Sequence, residues 1–212
     1  MLVEFPQRID PVVSGRAVAV SRAIQDRCAG RIRDVVIGYA SVTVYFDPLQ
    51  TDVGAIEAEI SRAVELNPEA PSIADAVIDV PVCYGGELGP DLAEVAAFAR
   101  ATEAETIELH CAPVYRVYVV GFMPGFAYMA SVDPRLAMPR RPTPRTRVPA
   151  GSVAIASGQT GIYPLESPGG WHLIGRTWLK PYDERRSEPF LFKPGDRVRF
   201  HPVHRDEFDR SA

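Results

Sequence analysis

The sequence predicts an α+β protein in two parts: a ferredoxin-like β-α-β-β-α-β domain over residues 1–80, then a β-built domain over residues 81–212. Three observations predict it. The first 80 residues alternate β-rich runs with two capped, amphipathic helical stretches in that order. Between Gly121 and Arg176, 56 residues hold 8 of the 16 glycines and 8 of the 20 prolines, which excludes a long helix there. That same stretch still carries apolar runs, Val153–Ala156 and Trp171–Ile174, and the aromatics Phe122, Phe126, Tyr128, Tyr163 and Trp171. A disordered linker would lack them.

Taken in order, residues 2–5 read as a short strand. Asp10-Pro11 starts a helix, with Asp as N-cap and Pro at the first position. Val13, Ala17, Val20 and Ile24 form one apolar stripe along it, and Gly30 ends it. Val35–Gly38 and Val42–Phe46 read as a hairpin. A second helix runs from about Asp52 to Leu66 with Val53, Ile56, Ile60 and Ala63 inward, and a strand spans about Ala76–Tyr84. Pro90–Arg100 is helical, with Leu92, Val95, Ala96 and Ala99 as its apolar face. Thr102 and Glu105 have capping-box spacing for a shorter helix ending near Cys111. Tyr115–Val120 is a strand leading into the Gly/Pro-rich stretch. Beyond it come short strands at Leu173-Ile174, Thr177–Leu179, Phe190–Phe192 and Arg197–His201, with Pro194-Gly195-Asp196 turning the chain before the last. Such a run of short strands suits a compact β-barrel.

Composition bounds the function. With 46% hydrophobic and 24% charged residues, the 212-residue chain has the make-up of a soluble globular protein. No apolar run approaches the roughly 20 residues a membrane span needs, and the start has no signal-peptide pattern. Cys28, Cys83 and Cys111 form no CxxC pair, so neither a disulfide framework nor a metal site is expected, and the setting reads as reducing and cytoplasmic. A net charge of −4 argues against nucleic acid as the main partner. There is no GxxxxGK[ST], no GxGxxG after a strand and no GxSxG elbow.

The chemistry gathers in the central stretch. Residues 134–165 contain no Asp or Glu but five arginines, Arg135, Arg140, Arg141, Arg145 and Arg147. This local positive field on an acidic chain suits an anion, because each guanidinium offers a planar fork to carboxylate or phosphate. Arg145 and Arg147, two apart, point the same way in an extended segment. Alternatively, these arginines pair with the protein's own acids. Ser157-Gly158-Gln159-Thr160-Gly161 reads either as a backbone nest for an anion, with Gly158, Thr160 and Gly161 as substrate-binding positions, or as an ordinary hairpin turn. The Gln159 amide can pair with another amide. Glu166 is a general base or a partner for Arg145 or Arg147. His172 is the histidine read for proton transfer or substrate hydrogen bonding, or alternatively for a structural hydrogen bond within the barrel. Phe122, Phe126 and Tyr128 form an apolar wall of a site, or core. His110 sits at a helix end, where a helix dipole or the central stretch could engage it.

The run Pro139–Gly151, the run Gly158–Trp171, Pro81–Gly86 and Pro194–Phe200 together resemble the KipI/PxpB family over nearly the whole chain. Its members are described as the 5-oxoprolinase B subunit, allophanate hydrolase subunit 1 or sporulation-kinase inhibitor. The resemblance implies a cyclophilin-like β-barrel domain for residues 81–212. It implies a component of an ATP-dependent 5-oxoprolinase, converting 5-oxoproline, ATP and water into glutamate, ADP and phosphate. The partners would be of the PxpA type and the PxpC/KipA type (allophanate hydrolase subunit 2), and the isolated chain would be inactive. A carboxyltransferase component of the allophanate hydrolase or urea carboxylase kind, working with biotin, and a KipI-like inhibitor of a histidine kinase are the alternatives.

Overall fold

The computed structural model describes residues 1–67 and 76–211. The chain divides into two compact units, 1–74 and 75–212.

In the first unit, β1 (Leu2–Glu4), β2 (Asp34–Ile37) and β3 (Ser41–Tyr45) form an antiparallel sheet in the order β1-β3-β2. Helices α1 (Pro11–Arg27) and α2 (Val53–Leu66) accompany it. Both helices start where a side chain can accept from the first free backbone N–H groups. Asp10 takes Val12 and Val13, and Asp52 takes Gly54 and Ala55. The expected stripe Val13, Ala17, Val20, Ile24 is buried, together with Ile56, Ile60 and Ala63. Val53 is 43% exposed rather than inward, because it lies in the first turn of α2.

One expectation is corrected. The strand read at Ala76–Tyr84 as the fourth of a ferredoxin-like sheet is β4 (Val77–Tyr84), and it pairs with strands of the second unit. The sheet of the first unit is therefore three-stranded, and residues 77–80 count with the second unit. Local pattern identifies a strand; only non-local hydrogen bonding chooses its sheet.

The second unit is built on a closed seven-stranded barrel. Besides β4 its strands are β5 (Tyr115–Val120), β6 (Ala127–Ala130), β8 (Ser152–Ala156), β9 (Gln159–Ile162), β11 (His172–Arg176) and β12 (Arg197–Pro202). Around the barrel their order is β11-β4-β12-β5-β6-β9-β8. β12 runs parallel to β4, and β11 closes the barrel against β8. A separate ribbon pairs β7 (Arg145–Val148) with β10 (Ser167–Gly169). Helices α3 (Leu92–Ala99), α4 (Glu103–Cys111) and α5 (Arg205–Ser211) complete the unit, and the Thr102/Glu105 capping box is formed. Thr177–Leu179 and Phe190–Phe192 are not strands; Phe190 makes one isolated bridge to Tyr182. No helix of the described residues is long and apolar enough to cross a membrane.

Strand alternation splits the barrel wall into two apolar layers. Val153 and Ile155 of β8, Ala127 and Met129 of β6 and Ile162 of β9 belong to the main core. Their neighbours Ala154, Ala156, Phe126, Tyr128 and Tyr163 form a second cluster with Trp171, Leu173 and Val148. The small side chains of Ala154 and Ala156 leave room for its rings.

Candidate functional site

That second cluster borders an open pocket. This pocket of about 330 Å³ is lined by Phe122, Phe126, Tyr128, Tyr163 and Trp171, with Arg140, Pro144 and residues 168–170. Its aromatic rings meet edge to face. Phe126 lies 4.8 Å from Tyr128, 5.2 Å from Tyr163, 5.5 Å from Trp171 and 5.8 Å from Phe122. This arrangement aligns positive ring edges with negative ring faces and fixes the walls. Two glycines permit the packing. A Cβ on Gly161 would press on the Phe126 ring and the Ala127 carbonyl; one on Gly169 would collide with the Tyr163 hydroxyl. Burial raises the Tyr128 and Tyr163 hydroxyls above the usual phenol range, while the nearby Arg140 charge partly opposes it.

Phe122 stands at this cavity, 67% exposed, with φ +70°. A bulky residue in the left-handed region is strained, and such strain concentrates where function over-determines the backbone. Gly125, at φ +83°, lets the same loop press against Pro181 and Tyr182.

The sequence-derived candidates do not gather at one place. Phe122, Phe126 and Tyr128 come together in the cavity. Arg145 and Arg147 do share a smaller pocket of about 170 Å³ with Arg176 and Glu87, but each meets a carboxylate of the chain itself. Arg145 forks onto Asp91, and Arg147 contacts Glu166 at 2.7 Å on the open surface. The Glu166 carboxylate therefore meets Arg147, one of its two expected partners. Ser157 and Gly158, both at positive φ, form the two-residue turn between β8 and β9, and the Ser157 N–H is donated to the Met138 carbonyl. Residues 157 and 158 thus adopt the hairpin-turn geometry. Gln159 is ladder-paired with Ala156 and Ala130 and is partly exposed.

Thr160 is fully buried in a hydrogen-bonded chain that sequence spacing gave no way to see. Its hydroxyl donates to the Ala154 carbonyl and so accepts from His110 Nε2–H, 2.8 Å away. His110 Nδ1 then accepts from the Tyr84 hydroxyl at 2.7 Å, and Cys111 Sγ lies 3.4 Å from that hydroxyl. Burial depresses the His110 pKa to about 3, so it is neutral. Its expected dipole role as a cation does not apply.

His172 is 2% exposed and does not line the cavity. Its Nε2–H donates to the Pro139 carbonyl at 2.8 Å, and Arg141 N–H donates to the Gly170 carbonyl at 2.9 Å. These two bonds tie down the residues on either side of Arg140. His172 Nδ1 has no hydrogen-bond partner and faces Glu94 at 3.9 Å. The cavity residues that sequence reasoning left out of the site are Arg140, Tyr163 and Trp171. Their signal was present in the acid-free arginine stretch and the Gly169-Gly170-Trp171 run. Among the described residues, no cluster of three or more His, Cys, Asp or Glu side chains is placed to hold a metal.

Comparison with known proteins fits this architecture. Residues 1–192 match the family model described as carboxyltransferase domain, subdomain C and D. The chain is 35% identical over 217 residues to the 5-oxoprolinase B subunit of Bacillus subtilis, covering 94% of this chain and 88% of that one. It is 46% identical over 175 residues to the protein of that name from Escherichia coli O157:H7, covering 80% and 77%. The crystal structure of TTHA0988 superposes with a TM-score of 0.86 at 39% identity over 96% of this chain, which spans 40% of that longer one. The chain belongs to the carboxyltransferase-domain subdomain C and D family, among proteins named as the B subunit of 5-oxoprolinase.

Proposed function

We propose that the chain is the PxpB-type component of a heteromeric ATP-dependent 5-oxoprolinase. The observation that carries this reading is the match to a 5-oxoprolinase B subunit along 94% of this chain and 88% of the relative. In this reading the complex opens the lactam of 5-oxoproline with ATP and water, giving glutamate, ADP and phosphate. Partners of the PxpA and PxpC/KipA type complete the site, and the chain works in the cytoplasm. ATP is bound elsewhere in the assembly. The sequence has no GxxxxGK[ST] run, and one guanidinium at an aromatic cavity cannot balance a triphosphate.

The contribution of this chain is the aromatic cavity with Arg140. Its aromatic walls receive a small substrate and fix its orientation. The test is reconstitution. ATP-dependent glutamate release should appear when the chain is mixed with its co-purifying subunits and be absent from the chain alone. Release from the chain by itself, or none from the assembled complex, would overturn the reading. The family's carboxyltransferase description favours a second reading, a biotin-linked carboxyl transfer to a urea-like amide. Carboxyl transfer from carboxybiotin by the complex, with no glutamate release, would select it.

A further inference from the structure

We infer that the aromatic cavity binds a small monocarboxylate with a flat or cyclic body, and that Arg140 is the group that receives the carboxylate. The inference rests on the reading of this cavity as the chain's functional site and names the ligand chemistry it selects.

The five arginines of the acid-free stretch have unequal fates. Arg135 contacts Asp133 at 3.2 Å, and Arg141 contacts Asp91 at 3.2 Å and Glu94 at 3.4 Å. Arg145 contacts Asp91 at 2.6 Å and Arg147 contacts Glu166 at 2.7 Å. Arg140 has no ion-pair partner among the described residues, and it alone of the five lines the aromatic cavity. The cation left without a protein carboxylate is therefore the one at the rim of the aromatic pocket.

Its placement is built rather than incidental. Pro139 and Arg141 are each bonded to the 170–172 segment, through His172 Nε2 and the Gly170 carbonyl. Trp171, which lies between those two anchors, forms a cavity wall. The arginine and the indole are thus held in register, and His172 is a positioning residue for Arg140. Tyr163 is locked by its contact at Gly169 and by the Trp171 backbone N–H.

The ligand class follows from these walls. One planar fork matches the two oxygens of one carboxylate, whereas phosphate sites recruit several donors. Aromatic faces on several sides favour a flat or ring-shaped body. At about 330 Å³ the space lies at the small end of ligand cavities. 5-Oxoproline, a five-membered ring bearing one carboxylate, has this chemistry.

The test uses the full chain carrying Trp178→Phe, which leaves Trp171 as the tryptophan reporter. It is titrated with 5-oxoproline, benzoate, 2-pyrrolidinone and inorganic phosphate. Expected is a saturable change in Trp171 fluorescence with 5-oxoproline and benzoate, and none with 2-pyrrolidinone, the same ring without a carboxylate, or with phosphate. Arg140→Gln should weaken binding roughly tenfold to hundredfold, while Arg135→Gln should not change it. His172→Gln should weaken it less than Arg140→Gln, with an unchanged preference for carboxylates. Saturation by benzoate but not 5-oxoproline, dependent on Arg140, supports the carboxylate site and counts against the 5-oxoprolinase reading. No saturable signal from either carboxylate, equal binding of 2-pyrrolidinone, or wild-type affinity in Arg140→Gln would overturn the inference.

Discussion

Asp91 and Arg145 are joined by two parallel contacts, Nη1–Oδ2 at 2.9 Å and Nη2–Oδ1 at 2.6 Å, although 54 residues separate them in sequence. Asp91 also accepts the Leu173 N–H at 2.7 Å and an Arg141 contact at 3.2 Å. One carboxylate, 5% exposed at its side chain, thus fastens the start of α3 to β7 and β11. Removing one partner of a buried pair costs about 3–5 kcal/mol, because the other charge is left without compensation. Arg145→Ala and Asp91→Ala should therefore lower the melting temperature by on the order of 10 °C. Arg147→Ala should leave it nearly unchanged, since its pair with Glu166 is exposed and such pairs contribute about 0–1 kcal/mol. Calorimetry on the three variants checks this; equal melting temperatures would remove Asp91 from its structural role.

Legibility in the sequence tracked distance along the chain. The Asp10, Asp52 and Thr102 caps were readable because each side chain meets a backbone N–H two or three residues away. The wall residues Phe122, Phe126 and Tyr128 were readable as an aromatic grouping within one loop. The strand β10, Ser167–Gly169, was hidden by Pro168 and by its three-residue length. The role of Arg140 was hidden for a different reason. All five arginines look alike until Asp91, Glu94, Asp133 and Glu166 are placed, and only then does one remain, at the cavity. The membership of β4 in the barrel was likewise decided by β12, about 120 residues away, as the Asp79–Arg199 contact shows.

His110 makes stability depend on pH. Burial lowers its pKa to about 3 in the fold, against 6.5 when unfolded. Above pH 6.5 both states are neutral and the histidine imposes no penalty. As pH falls from 6.5 towards 3, the unfolded chain takes up a proton that the folded chain does not. The native state then loses about 1.4 kcal/mol per pH unit. Melting temperature should fall across that window, and His110→Gln, which retains one donor and one acceptor for Thr160 and Tyr84, should show a flatter profile. Superimposable pH profiles for wild type and variant would contradict this account.

Gly169 and Gly170 are adjacent, yet only one is sterically obligatory. A Cβ on Gly169 would collide with the Tyr163 hydroxyl, whereas on Gly170 the nearest atom would be Pro144 Cγ at 3.6 Å, an ordinary contact. Tyr163 is 2% exposed and packed against Phe126, so it has nowhere to retreat except into the cavity. Gly169→Ala should cost about 1–3 kcal/mol, the range for overpacking a core, and change the near-ultraviolet aromatic signal. Gly170→Ala should do neither. Equal effects from the two substitutions would contradict the close approach.

At Phe122 the usual ranking of alanine over glycine should reverse. Its φ of +70° costs an L-residue about 1–2 kcal/mol, a penalty that glycine escapes. Glycine loses about 0.5–1 kcal/mol in return through the greater freedom of the unfolded chain. Because Phe122 is 67% exposed, truncation removes little buried area in either variant. Phe122→Gly should therefore be more stable than Phe122→Ala by up to about 1 kcal/mol, measurable by urea denaturation. Both variants lack the ring that meets Phe126 at 5.8 Å, so both should bind a flat carboxylate more weakly than wild type, and to a similar extent. That combination, one variant more stable than the other with the same weakened binding, separates backbone strain from the side chain's part in the cavity. If alanine proves the more stable substitution, the loop does not hold position 122 in the left-handed region in solution.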